Sequence, residues 1–211
     1  MSLTSYFKNT TLAVSVAISA IASPLAFAEE KSVQLDTEQQ KSLELLTLDA
    51  AREGDVKAIN SYLKSGFSPN ILSKRGDSLL ILATYYGHAE VVEVLLKSKK
   101  TEVNLVNKMG FSALTGAAFR GRDSIIETLI KHGAEVDQVN NKGQTALMFA
   151  AMFGQEGAVT ALITHGTNTQ LSTPEGKTAA DLANDQGRKN MASIIAKALA
   201  KKKELAALKK K

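Results

Sequence analysis

The sequence predicts an all-α solenoid of about five stacked helix–turn–helix units joined by short β-type hairpin turns. Three observations carry that prediction. A glycine recurs at Gly76, Gly110, Gly143 and Gly176, with spacings of 34, 33 and 33 residues. An alanine recurs at Ala50, Ala83, Ala117, Ala150 and Ala183, and a second glycine at Gly54, Gly87, Gly121, Gly154 and Gly187. On either side of that second glycine lie two short stretches with helical apolar periodicity. A fixed period in this range is the mark of one supersecondary unit stacked on copies of itself. The stretch from Gly143 to Gly176 shows the whole pattern, closing on a Gly/Asn/Thr-rich exit.

The chain has 211 residues, enough for one ordinary domain or one short solenoid. Its hydrophobic share of 44% can supply a core, and the 5% aromatic share without tryptophan suits helices packed through Ala, Leu, Ile and Val. The formal charge of +5 is unevenly placed: residues 29–196 carry about −2, and the excess sits in the Lys-rich residues 197–211. A mildly acidic body with a basic tail lacks the basic face that grips a phosphate backbone, which argues against nucleic acid as the partner.

Residues 1–28 read as a secretory signal peptide. Lys8 supplies a positive start, Thr11 to Ala22 is an uncharged apolar or small-residue run, and Ala26-Phe27-Ala28 forms an A-x-A cleavage site. The run is short for spanning ~30 Å of hydrocarbon. The expectation is therefore cleavage after Ala28 and a periplasmic mature protein with no transmembrane segment. Cysteine is absent, which excludes a thiol nucleophile and a lipid-modified N-terminal cysteine.

Residues 29–42 are polar and read as a flexible lead-in. The repeats then run from 43 to 200, in units of about 43–75, 76–109, 110–142, 143–175 and 176–200, the first and last acting as caps. In the first unit Leu43, Leu46 and Ala50 share a helical face, and Ala58, Ile59, Tyr62 and Leu63 give the second stripe. The second unit pairs Leu79, Leu80 and Ala83 with Val91, Val92, Leu95 and Leu96. The third pairs Ala113, Leu114 and Ala117 with Ile125, Ile126, Leu129 and Ile130. The fourth pairs Ala146, Leu147 and Ala150 with Ala158, Val159, Leu162 and Ile163. The fifth pairs Ala179, Ala180 and Ala183 with Met191, Ala192, Ile195 and Ala196. No unit can hide such stripes alone, whereas neighbours stacked together bury them as one core. The second unit is one residue longer between Leu96 and Asn104 and lacks a glycine at its helix end, so an irregular hairpin is expected there. Residues 201–211 form a Lys-rich tail with helix-favouring Ala and Leu. It reads first as a solvated cap and second as a weak handle for anionic membrane.

The strings SLLILAT (78–84), SALTGAA (112–118), TALMFAA (145–151) and TAADLAN (178–184) resemble the T-P-L-H-x-A signature of ankyrin repeats. The proline is missing from all four, and Ile81, Thr115, Met148 and Asp181 stand where the histidine would. Ser78, Ser112, Thr145 and Thr178 keep the oxygen that caps a helix start. More narrowly, an exported array reading ALTGAAFRG and GQTALMFAAMFG is similar to periplasmic ankyrin proteins that accompany bacterial catalases. That resemblance implies support of catalase activity and peroxide resistance, with a periplasmic catalase as partner.

Catalytic signals are lacking: no P-loop, G-x-S-x-G, H-E-x-x-H or dinucleotide fingerprint occurs. His88, His132 and His165 read as structural. The last two recur one unit apart, at a helix-packing distance of ~8–10 Å that suits shared metal ligation poorly. No cofactor is expected. The alternative function is a haem or small-molecule carrier serving a peroxide-detoxifying enzyme, although no haem-attachment motif is present.

Binding is the stronger expectation, because solenoids present an extended concave surface lined by successive units. The resemblance puts the partner-facing positions at the hairpin tips and first-helix ends. The tips are Lys74, Arg75 and Asp77, then Lys108, Met109 and Phe111, then Asn141, Lys142 and Gln144. The helix ends are Tyr85 and Tyr86, Phe119 and Arg120, and Met152 and Phe153. Five of the eight aromatics beyond residue 28 fall in this set, and aromatics, Met and Arg are what interface hot spots favour. The expected molecule is a monomer that holds a partner protein.

Overall fold

A computed structural model describes residues 36–208, with side chains up to residue 200. The signal-peptide reading and most of the lead-in lie outside the described residues. Ten α-helices fill the described chain: α1 (Thr37–Glu53), α2 (Val56–Lys64), α3 (Leu79–Tyr86), α4 (Ala89–Lys97), α5 (Ala113–Arg120), α6 (Asp123–Lys131), α7 (Ala146–Phe153), α8 (Glu156–Thr164), α9 (Ala179–Asp185) and α10 (Lys189–Leu208). Odd-numbered helices pack on one another in order along one layer, and even-numbered helices form the layer behind. The architecture is the all-α solenoid that the period predicts.

The two layers bury differently. Even-numbered helices are amphipathic: in α4, Val91, Val92, Leu95 and Leu96 are buried, while Glu90, Glu93 and Lys97 face water. The inner odd-numbered helices depart from the single stripe expected of them. Six consecutive residues are buried in each of α3 (Leu79 to Thr84), α5 (Ala113 to Ala118) and α7 (Ala146 to Ala151). Each is flanked by two odd-numbered neighbours and backed by its own even-numbered partner, so almost no side of its first two turns reaches solvent.

Local chemistry sets each start and stop. Ser78, Ser112, Thr145 and Thr178 accept the amide of the residue three further on, at 3.2 to 3.4 Å. Each thus satisfies one of the amides that a helix start leaves orphaned. The hairpin between units turns on another side-chain oxygen. Asn107 Oδ1 accepts from the Met109 and Phe111 amides at 2.9 and 3.0 Å, and Asn140 Oδ1 does the same for Lys142 and Gln144. Gly110 at the tip has φ +80°, and a Cβ there would lie 2.6 Å from the Asn141 amide nitrogen of the next tip. Only glycine meets both demands.

One expectation needs correction. The lead-in does not extend to residue 42, because α1 begins at Thr37. Asp36 accepts the Gln39 amide at 2.8 Å and Gln39 Oε1 accepts the Asp36 amide at 3.1 Å. This reciprocal cap fixes the six exposed residues ahead of buried Leu43, despite their polar composition. At the other end, α10 runs unbroken through residue 200 to Leu208, so the Lys-rich stretch to that point continues the last helix. The irregular exit of the second unit is present. Ser98 closes α4 with extended backbone in place of a left-handed glycine, and Thr101 Oγ1 donates to the Leu95 carbonyl at 2.5 Å.

Candidate functional site

A groove of about 360 Å³ lies between the hairpin tips and the odd-numbered helix layer of the second to fourth units. Its long sides follow from the repeat itself. Tips project from the same register of each unit, and first-helix ends line up one unit apart. Seven of the fifteen residues expected to face a partner line it: Arg75 and Asp77, Met109 and Phe111, Tyr85 and Tyr86, and Phe119.

The aromatics form a continuous array. Tyr85 and Phe119 stack in parallel at 6.0 Å, and Phe119 meets Phe153 edge to face at 4.4 Å. Tyr86 stands edge to face on Tyr85 at 5.4 Å. These rings pack on each other along the solenoid and remain accessible: Tyr86 is 49% and Phe153 43% exposed. Exposed large rings contribute most where a partner desolvates them. Arg120 places its guanidinium carbon 5.2 Å from the Tyr85 ring centroid, a cation–π contact of roughly 0.5–1 kcal/mol at an exposed site.

Sequence reasoning missed the floor. Phe149 meets Phe111 at 5.1 Å and Phe119 at 6.5 Å, and Ile81, Leu82, Thr115 and Gly116 lie beside it in the lining. The sequence does not single them out as groove-facing, because a register of one residue separates a core-facing from a groove-facing position on these short helices. The one available signal was Gly116 standing where other units carry Leu82, Phe149 and Leu182.

Charge around the groove is one-sided. Asp77 is already engaged, accepting from Asn107 Nδ2 at 2.7 Å and from Ser73 Oγ at 3.2 Å. Arg52, at the first-unit end, pairs with Asp49. Lys74, Arg75, Lys108, Arg120 and Lys142 have no carboxylate within 4.0 Å among the described residues. Hydrogen bonds from Thr173 and the Glu175 backbone, and then the charges of Lys177 and Lys142, hold the exposed Glu175 carboxyl below its usual range.

The other expected positions are placed as follows. Asn141 Nδ2 donates to the Lys108 carbonyl at 2.9 Å, and Gln144 Oε1 accepts from Asn140 Nδ2 at 3.1 Å, so both serve the hairpins. Met152 is half-buried next to exposed Phe153. His88 Nε2 donates to the Arg52 carbonyl at 2.7 Å, and His132 Nδ1 to Thr128 of its own helix at 2.9 Å. Among the described residues no group of three or more His, Asp or Glu is placed to hold a metal ion. Nor is any described helix long and apolar enough to cross a membrane.

A family model described as ankyrin repeats (3 copies) matches residues 48–140 and again 117–205. Over 61 residues the chain is 41% identical to a Pseudomonas aeruginosa protein named, provisionally, as an ankyrin repeat protein. That alignment covers 29% of this chain and 35% of the other, so the chain spans about a third of the relative's length.

Proposed function

The chain belongs to the ankyrin-repeat family, and from that premise we propose that it is a non-enzymatic scaffold gripping a partner protein through the groove of its second to fourth units. Ankyrin repeats generally mediate protein–protein interaction. The observation that carries the reading to this surface is the accessible ring array Tyr86–Tyr85–Phe119–Phe153, bordered by cations without carboxylate partners. Shape and desolvation of a few anchors would provide the affinity.

Two finer points belong to the same proposal. The leader-like residues 1–28 support export to the periplasm. The resemblance to ankyrin proteins accompanying catalases supports a periplasmic catalase as partner and a place in peroxide resistance.

The test is capture from periplasmic extract by the wild type and by a Tyr85→Ala, Tyr86→Ala, Phe119→Ala, Phe153→Ala variant, with bound proteins identified by mass spectrometry. The variant should lose its specific partner by at least roughly a hundredfold, since two hot-spot aromatics at ~2 kcal/mol each already exceed that. Equal capture by a variant with unchanged circular dichroism would move the interface elsewhere.

A further inference from the structure

The first-helix register contains one vacancy. Leu82 in α3, Phe149 in α7 and Leu182 in α9 occupy equivalent positions, and α5 carries Gly116 there. A Cβ at Gly116 would meet only the Tyr85 Cβ, at 3.9 Å, so there is room for a side chain at this buried position, which lies in the groove lining. Leu82, Phe149, Tyr85 and Phe119 line the same groove as Gly116. Glycine inside a helix is less favourable than alanine, so the opening is obtained at some expense in helix stability.

The surroundings restrict what can enter. Leu82, Phe149, Tyr85 and Phe119 give the slot mainly apolar surroundings, and the one carboxylate in the groove lining, Asp77, accepts from Asn107 and Ser73. Of the cations with no carboxylate within 4.0 Å, Arg75 lines the groove, Arg120 lies over the Tyr85 ring that lines it, and Lys108 sits between the lining residues Asn107 and Met109. The repeat body as a whole is mildly acidic, so this basic rim is local. An apolar slot under a cationic rim complements a large side chain set among carboxylates.

We propose that the Gly116 slot is the anchor point for a partner segment presenting one aromatic or leucine side chain flanked by Asp or Glu. The inference rests on the groove being the binding face, and it narrows that face to one point and one peptide chemistry.

The chain contains no tryptophan, so a tryptophan in a probe reports its own burial without background. Full-length protein is titrated into a seven-residue peptide with a central Trp between Glu and Asp residues. The expected result is a saturable blue shift of the Trp emission at concentrations below ~1 mM. An otherwise identical Lys-flanked peptide should bind at least roughly tenfold more weakly, and an acidic peptide with central Ala should fail to compete. Gly116→Leu, which restores the residue type of α3 and α9, should weaken the acidic peptide by at least roughly tenfold. Gly116→Ala should give an intermediate loss, and it keeps the test open should the leucine variant fail to fold. No saturable shift, equal binding of the Lys-flanked peptide, or unchanged affinity in both folded Gly116 variants would overturn the proposal. If Gly116→Leu still captures the extract partner while the four-aromatic variant does not, the groove remains the interface and the slot is excluded as its anchor.

Discussion

Tyr62 sits in α2 with 1% of its surface exposed, its ring stacked on Phe67 at 5.1 Å. Burial first, and the Glu44 carboxylate second, push its phenol up to about 12 from the ordinary 10.0. A phenol raised in the folded state favours folding while it stays neutral. Its contribution is therefore complete below pH 10 and is lost as the pH climbs toward 12. Tyr62→Phe keeps the ring and removes the ionisation, so the alkaline unfolding midpoint should rise, with little change at pH 7. Superimposable circular dichroism titrations of the two proteins between pH 9 and pH 12 would contradict this. Single residues were also where the sequence was hardest to read. Gly110 announced itself through its period, and its left-handed φ agrees. Gly116 is periodic with nothing, and roughly 0.5–1 kcal/mol of helix propensity forgone in α5 is invisible until the space above it is seen.

Between elements, one contact recurs in three of the four junctions. The residue opening each even-numbered helix reaches back to the carbonyl near the end of the previous unit's first helix. His88 reaches Arg52 at 2.7 Å, Gln155 reaches Phe119 at 3.2 Å, and Arg188 reaches Met152 at 2.8 Å. At the remaining junction Arg122 occupies the matching place, but its Nε is buried without a partner. His88→Ala should cost about 1 kcal/mol, the usual net value of such a bond, and lower the Tm by roughly 2–4 °C in a chain of this size. A melt unchanged within a degree would remove the link from the list of stabilising contacts. The apolar faces of the even-numbered helices were legible in the sequence, because water on one side and core on the other enforce a 3.6-residue period. In the inner odd-numbered helices the stripe residues such as Leu79, Leu80 and Ala83 were legible but the burial of the other faces was not, since burial on nearly every side erases periodicity. The back-reaching links were also hidden: three chemically unlike side chains do one job, and only their register reveals it.

For the molecule as a whole, stability is a sum of units and the junctions between them. Ala117 lies fully buried at the centre of the odd-numbered layer, between α3 and α7. Ala117→Leu should overpack both junctions, costing ~1–3 kcal/mol, and raise amide exchange across α3, α5 and α7 together. An equivalent Ala183→Leu change at the last first helix should loosen α9 and α10 while leaving α3 and α5 protected. Uniform loosening by both variants would mean that the array unfolds as one unit. The back-reaching links also give the stack a polarity, since each is donated by a later unit to an earlier one. The first unit breaks that series. In the register of His88 it carries Asp55, whose carboxylate is turned inward to accept the Ala58 amide at 2.9 Å. The links therefore run one way along the described units, and the leading unit uses the matching position to cap its own second helix instead of a neighbour.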